Sequence, residues 1–376
     1  MSDLGVYIHI PFCIRKCNYC DFCSFVNKQR DFWAYTDEIC KRIKDFASQS
    51  GKKQVDTVYF GGGTPTLLPL VCFEQIMTVL HDSFVIDRSA EVTVECNPAT
   101  ADENTFSTLR KMGVNRLSIG LQSANESELS SLGRLHSFED FCISFECARR
   151  AGFDNISVDL MYGIPDQTLE SFENTLRKVI SLAPEHISAY GLKIEEGTVF
   201  GARRDELSLP DEDTEFAMYK LCRELLEENR YFRYEISNFA KPGRESRHNL
   251  RYWKLRDYIG FGVAAHSCID GMRFGNSRDI NAFLRGENIV TESELINEDE
   301  KISEYVILGL RLAEGISEEE YFKLSGRNIY EDMPSLKKFA KNGFLYIRDG
   351  RICFSDEGFF VSNAVLRELL AERGKL

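Results

Sequence analysis

Short runs rich in Val, Ile, Leu or Tyr recur along the first two-thirds of the chain, with longer stretches of helical periodicity between them. The runs are Val6–Ile10, Val55–Phe60, Glu91–Glu95, Arg116–Leu121, Ser157–Met161 and His186–Leu192. Of the helical stretches, Phe106–Lys111 stops at Gly113 and Ser171–Ser181 stops before Pro184, residues that helix termini favour. Repeated strand–helix units predict an α/β protein with a parallel sheet and right-handed crossovers. Six units rather than eight predict an incomplete (β/α)6 TIM-like barrel, open on one side. Chemistry in such a sheet belongs on the loops after the carboxyl ends of the strands.

After Pro210 the pattern changes. Asp211–Asn229 reads as one long helix with Asp211 as N-cap and Phe216, Tyr219, Cys222 and Leu226 on one face. Phe239–Asn276, rich in glycine and aromatics, reads as loop or irregular sheet. From about Asn297 a small α+β domain begins, its first helix carrying Ile302, Tyr305, Val306, Leu308 and Leu312. A second helix, Pro334–Lys341, ends at Asn342–Gly343. A hairpin turning at Asp349–Gly350 follows, then a last helix over Val361–Leu370. That order is winged-helix-like. The expected division is 1–236 for the barrel, 237–296 for a connecting segment carrying the HNxxYW sequence, and 297–376 for the C-terminal domain.

Net charge is −13 over 376 residues, with no Lys/Arg-rich block, which argues against a nucleic-acid backbone as partner. Lys337, Lys338 and Lys341 form a small basic stripe that a solvated helix face explains equally well. No apolar stretch is long enough to span a membrane, and the opening MSDLGVYIHIPF lacks the basic n-region of a signal peptide. Most cysteines, such as Cys40, Cys142, Cys147 and Cys222, sit singly in apolar periodic segments. They read as small buried hydrophobes in a reducing cytoplasm.

The exception is Cys13-Ile-Arg-Lys-Cys17-Asn-Tyr-Cys20-Asp-Phe-Cys23. Thiolates three and four residues apart on one loop can converge on three corners of a cube of iron and sulfide, leaving the fourth iron to an exogenous chelate. Read from the residues alone, a four-ligand zinc site recruiting Cys23 or His9 competes. So do a ferredoxin-type cluster on all four cysteines and a group of free thiols, although the last invites oxidation. C-x3-C-x2-C after a first strand resembles the radical S-adenosylmethionine superfamily. The resemblance implies a [4Fe–4S] cluster on Cys13, Cys17 and Cys20, with S-adenosylmethionine on the open iron. Cys23 then reads as a spare thiol and His9 as a hydrogen-bonding neighbour.

Phe60-Gly-Gly-Gly-Thr-Pro65 follows the second strand, and consecutive glycines let the backbone approach a ligand closely. Glu95, Gln122 and Asp159 sit at other strand ends, and Arg134 lies just after the fourth strand. By resemblance to the oxygen-independent coproporphyrinogen III oxidase group, these match S-adenosylmethionine-binding residues, together with Tyr7, Tyr19, Gly62, Gly63 and Thr64. Glu95, Gln122 and Asp159 offer acceptors for ribose hydroxyls, and Arg134 suits a carboxylate.

His248-Asn-Leu-Arg-Tyr-Trp253 places an imidazole, a carboxamide, a phenol and an indole within six residues. A neutral imidazole can ligate haem iron and flat rings can pack on a porphyrin; the same residues could equally pack a subdomain seam. H-N-x-x-Y-W resembles the signature of the haem chaperones that descend from these oxidases. Phe22 stands where the oxidases have a further cysteine, and the chain begins only a few residues before Tyr7, where they carry a longer extension. The resemblance continues through Gly260–Ser267 to the C-terminal domain. It implies haem binding by His248 as axial ligand with Asn249, Tyr252 and Trp253, and transfer to an acceptor haemoprotein such as a respiratory one. His266 is a second candidate contact. The competing reading is an enzyme, oxidative decarboxylation of coproporphyrinogen III, with Tyr252 and Trp253 merely structural.

Overall fold

In the computed structural model, which describes residues 3–26 and 28–374, all six runs form strands of one sheet: β1 (Leu4–Ile10), β2 (Gln54–Gly62), β3 (Val85–Cys96), β4 (Arg116–Gln122), β5 (Ile156–Tyr162) and β6 (His186–Gly191). They pair in parallel in chain order. The crossovers are α1 (Phe32–Ser50), α2 (Leu70–Ser83), α3 (Glu103–Lys111), the pair α4 (Glu126–Leu132) and α5 (Phe138–Arg150), and α6 (Leu169–Ser181). Asp102, Asn125, Ser137 and Thr168 each accept a backbone N–H at a helix start, satisfying donors that the helix leaves unpaired.

Alternation along the strands separates two environments. Val6, Ile8, Val58, Phe60, Val94, Ile119 and Val158 are buried with Ile39, Ile76, Phe106, Phe141 and Phe172 of the helices, and this layer is the main core. The opposite set is Tyr7, Tyr59, Glu95, Arg116, Ser118, Asp159, Ser188 and Tyr190. A closed barrel fills its interior with branched apolar side chains. A polar interior such as this one leaves an open chamber.

The segment expected to connect two domains as loop or irregular sheet is instead regular and completes both edges of the sheet. β7 (Phe232–Glu235) and β8 (Asn238–Ala240) add antiparallel strands beyond β6. After α7 (Glu212–Glu228), which precedes them, and α8 (Arg247–Trp253), which follows, β9 (Tyr258–Phe261) pairs in parallel with β1. β10 (His266–Ile269), β11 (Met272–Asn276) and β12 (Val290–Leu295) continue antiparallel. The twelve-stranded order is β12-β11-β10-β9-β1-β2-β3-β4-β5-β6-β8-β7, an open sheet as expected. α7 starts at Asp211, whose side chain accepts from the Thr214 N–H, and buries Tyr219, Cys222 and Leu226.

α8 holds the HNxxYW sequence. Seven residues make too short a helix to be stable alone, so its order comes from tertiary contacts. Glu91 accepts the N–H groups of Arg247 and His248 at 3.0 Å each. The Arg251 guanidinium, 2% exposed, pairs with Asp56 and donates to the carbonyls of Asp3 at 2.7 Å and Asp257 at 2.9 Å. These partners lie at the amino ends of β1, β2 and β3, so α8 packs against the end of the barrel opposite the cysteine loop.

The C-terminal domain is winged-helix-like. Its helix Glu298–Gly309 is capped by Asn297, followed by the short strand Ile316–Ser317 and helices Glu318–Ser325 and Ser335–Lys341. The hairpin Leu345–Arg348/Arg351–Phe354 turns where expected, with Asp349 and Gly350 at φ 50° and 71°. Val306, Tyr321, Leu336, Ile352 and Leu369 form a separate core. The domain docks through Asp356, which pairs with Arg223 at 2.9 Å and Arg233 at 2.7 Å. In the basic stripe, Lys338 pairs with Glu368 at 2.9 Å and Lys337 lies over the Tyr330 ring. Among the described residues no helix is long and apolar enough to cross a membrane.

Removing one partner of a buried pair leaves the other charge uncompensated, at about 3–5 kcal/mol. Asp56 keeps a longer contact to Arg247 at 3.7 Å, so Arg251→Met is expected to lower unfolding stability by up to about that amount, read as a reduced urea midpoint. An unchanged midpoint contradicts the anchoring role.

Candidate functional site

The cysteine loop leaves β1 and is held at both ends. Phe12–Cys13 pairs with Phe25–Val26, and the glycine-rich turn docks on it through Gly63 N–H to the Ile10 carbonyl and Thr64 N–H to the Phe12 carbonyl, both 2.8 Å. Asn18 ties the middle of the loop to the end of α4, its N–H donating to Leu132 and its side chain to Ser131.

Cys13, Cys17 and Cys20 line one chamber of about 500 Å³ together with Tyr19, Gly62, Gly63, Glu95, Gln122, Arg134 and Asp159. The cysteine triad and most of the expected cofactor residues are thus brought to one space inside the barrel. Two are not in its lining. The Tyr7 hydroxyl bonds His9 Nδ1 at 2.9 Å, and the ring stacks on Tyr59. Thr64 lies behind the loop, accepting from Asn97 Nδ2 at 2.7 Å, with its Oγ1 3.8 Å from Cys13 Sγ.

The chamber's polar groups suit a cofactor that carries a carboxylate, an amino group and hydroxyls. Arg134 donates to Asn97 Oδ1 at 2.6 Å and the Gly120 carbonyl at 2.7 Å, and lies 3.5 Å from Cys17 Sγ. Gln122, at a bulge between β4 and β5 with φ 68°, has a buried Oε1 without a partner. A Cβ on Gly63 would lie 2.7 Å from the Phe12 carbonyl oxygen and 3.0 Å from Cys13 Sγ, so glycine lets the turn pass directly behind the loop. Glu95 accepts from the Tyr59 hydroxyl at 2.9 Å and the Gly62 N–H at 3.0 Å, and burial pushes its carboxyl up to about 7. Burial raises Asp159 too, against hydrogen bonds from Ser118 and Ser157.

Neither His9 nor Cys23, the alternative fourth donors, lines the chamber with the triad. His9 Nε2 donates to the Cys23 carbonyl at 2.8 Å while Nδ1 accepts from Tyr7, and burial lowers the ring to about 4. The Cys23 thiol faces the Arg278 carbonyl at 3.9 Å. Among the described residues no three His, Cys, Asp or Glu side chains converge to hold a single metal ion. Sequence reasoning missed Asn97, Tyr59, Ser118 and Arg116, which also line the chamber. Asn97 follows Glu95 at a strand end and was readable on the same grounds; Arg116 begins its strand and was not.

A second cavity of about 540 Å³ lies in the seam between the sheet edges. Tyr190, Glu235 and Asn238 line it from the β6–β8 edge, Tyr258, Cys268 and Arg273 from the β9–β11 edge, and Asn249, Tyr252 and Trp253 from α8. Asn249 and Tyr190 also line the first chamber. His248 lines neither cavity. It is 1% exposed, stacks on Tyr59 at 5.1 Å, and has Nδ1 2.9 Å from Thr57 Oγ1 and Nε2 2.8 Å from the Tyr252 hydroxyl. Burial, with Arg251 and Arg116, pushes its pKa down to about 3. The expected axial ligand therefore stays neutral but has no free ring nitrogen in this conformation. His266 is exposed on β10 and lines neither cavity.

The model of the radical SAM superfamily matches residues 7–179, and that of the HemN C-terminal domain matches residues 296–361. A Bacillus subtilis protein named heme chaperone HemW is 34% identical, the alignment covering 98% of this chain and 99% of that protein. The Escherichia coli protein of the same name is 33% identical over 99% of both. Among solved structures, E. coli coproporphyrinogen III oxidase (HemN), described as a radical SAM enzyme, superposes with a TM-score of 0.85 at 24% identity. That superposition covers 99% of this chain and 90% of the other, and shows the shared fold. Superfamily membership implies a [4Fe–4S] cluster and S-adenosylmethionine, in keeping with the three thiols and the chamber behind them. The chain belongs to the radical S-adenosylmethionine superfamily and, within it, to the family whose relatives are named heme chaperones.

Proposed function

We propose that the chain is a haem chaperone of the reducing cytoplasm that binds haem in the seam cavity and passes it to an acceptor haemoprotein. The observation that carries this is the opening of Asn249, Tyr252 and Trp253 onto a cavity of about 540 Å³, within the range of small-molecule sites. Tyr252 and Trp253 offer flat faces for a porphyrin. Arg256 and Arg311, in the same lining, suit propionates, whereas Arg273 is already paired with Glu294 and Glu304. The twelve free cysteines fit a reducing compartment.

Cys13, Cys17 and Cys20 would hold a [4Fe–4S] cluster with one iron left to S-adenosylmethionine. Arg134, beside Cys17, would take the cofactor's carboxylate, while Gln122, Glu95 and Asp159 would receive its hydroxyl and amino groups. Gly62 and Gly63 admit it against the backbone. When bound, the pair supplies one-electron chemistry at the sulfonium. The wall shared through Asn249 and Tyr190 gives that chemistry a route by which to govern haem binding or release. His248 would act on haem through Tyr252, holding the phenol in place, since its own nitrogens are engaged.

Anaerobically reconstituted protein is expected to lose most of its iron when Cys13, Cys17 or Cys20 is changed to Ser, and to keep it in Cys23→Ser; iron loss in the last variant makes Cys23 a ligand. Haem titration should give a Soret band. Trp253→Ala is expected to weaken affinity about tenfold, equivalent to ~1.4 kcal/mol. His248→Ala should weaken binding without moving the band. A shifted band makes His248 an axial ligand, and no band at all removes the chaperone reading. Turnover of coproporphyrinogen III with release of 5′-deoxyadenosine would replace it with the oxidase reading.

A further inference from the structure

Among the described residues two arginines are almost wholly buried, Arg251 on α8 at 2% and Arg116 on β4 at 1% exposure. Arg251 has a carboxylate and two carbonyls as partners. Arg116 differs: its Nε is buried without a hydrogen-bond partner, and the side chain lines the cluster chamber. The acidic groups facing it direct their hydrogen bonds elsewhere, although Glu95 and Asp159 lie within its electrostatic reach. Glu95 accepts from Tyr59 and Gly62, Asp159 from Ser118 and Ser157, and Glu91 from the first N–H groups of α8. A guanidinium stays charged when buried, and Glu95 and Asp159, whose carboxyls burial pushes up, compensate it through space without a hydrogen bond to its Nε. An anion delivered by a ligand supplies that bond.

The cofactor's own carboxylate does not answer to this position. Arg134 stands beside Cys17 at the carboxyl ends of the strands. Arg116 begins β4, four residues before Gly120, whose carbonyl Arg134 bonds, and at ~3.3 Å per residue it lies roughly 13 Å further down the barrel. Ser118, Ser188, Tyr59 and Asn249 share the chamber lining with it, and Asn249 with Tyr190 forms the partition from the seam cavity.

We propose that the chamber floor is an anion subsite in which Arg116 holds a carboxylate of a second ligand, a propionate-bearing tetrapyrrole reaching in from the seam past Asn249 and Tyr190. The tetrapyrrole identity rests on the proposed haem function; the anion subsite rests on Arg116 itself.

The test uses full-length reconstituted protein and three probes: haem, haem dimethyl ester with its carboxylates masked, and metal-free coproporphyrin III. The parent is expected to bind haem at least tenfold tighter than the ester. Arg116→Met should bring haem down to the ester's affinity and leave the ester unchanged, with Arg116→Lys in between. Because no hydrogen bond or salt bridge holds the guanidinium, the melting temperature of ligand-free Arg116→Met should equal or exceed the parent's. A lower melting temperature with equal losses for haem and ester would make Arg116 structural and overturn the inference. Discrimination retained in Arg116→Met would move the carboxylate elsewhere and also overturn it. A parent that binds coproporphyrin through Arg116 but not haem would sink the chaperone reading and leave the subsite standing. Binding of neither porphyrin would overturn both.

Discussion

The structure depends on a parallel sheet that stops before it closes. Six strand–crossover units curve around a polar interior, and the edges beyond β1 and β6 are extended by antiparallel strands rather than joined. A closed barrel of this kind would need its interior filled with branched side chains. Here the interior carries Glu95, Asp159, Arg116 and serines, and the gap between the edges is a second cavity. Both spaces follow from that one open geometry.

The opening has to be held at a defined width, and α8 helps to do so. Its first turn hangs on Glu91, and its buried Arg251 bonds the amino ends of β1 and β2. His248 then stacks on Tyr59, whose hydroxyl bonds Glu95 in the cofactor chamber. A displacement of α8 in the seam therefore presses on a residue that orients a chamber carboxylate. The HNxxYW sequence is at once an anchor, through the arginine at its fourth position, and the lining of the seam.

Much of this was legible in the sequence because it is written locally. The six β-rich runs, the Asp211 cap and the Asp349–Gly350 turn are short-range signals. Polar residues at strand ends are local as well, and Glu95, Gln122, Arg134 and Asp159 do line one chamber. What escaped depends on distant partners. α8 is ordered by residues far away in sequence, His248 meets Thr57 across 191 positions, and nothing nearby announces either. The strands of 237–296 are short and fixed by pairing to β1 and β6. Tyr7 and Thr64 carry the right residue types, but their side chains bond His9 and Asn97 instead of lining the chamber.

We propose that the thiols of Cys13, Cys17 and Cys20 leave one iron of a cluster free to take the cofactor at the chamber mouth. The most direct measurement is electron paramagnetic resonance of the reduced, reconstituted protein with and without S-adenosylmethionine labelled with nitrogen-15 at its amino group. The account predicts a changed cluster spectrum and a resolved coupling to the label. An unchanged spectrum without coupling, or zinc in place of the cluster, would contradict it.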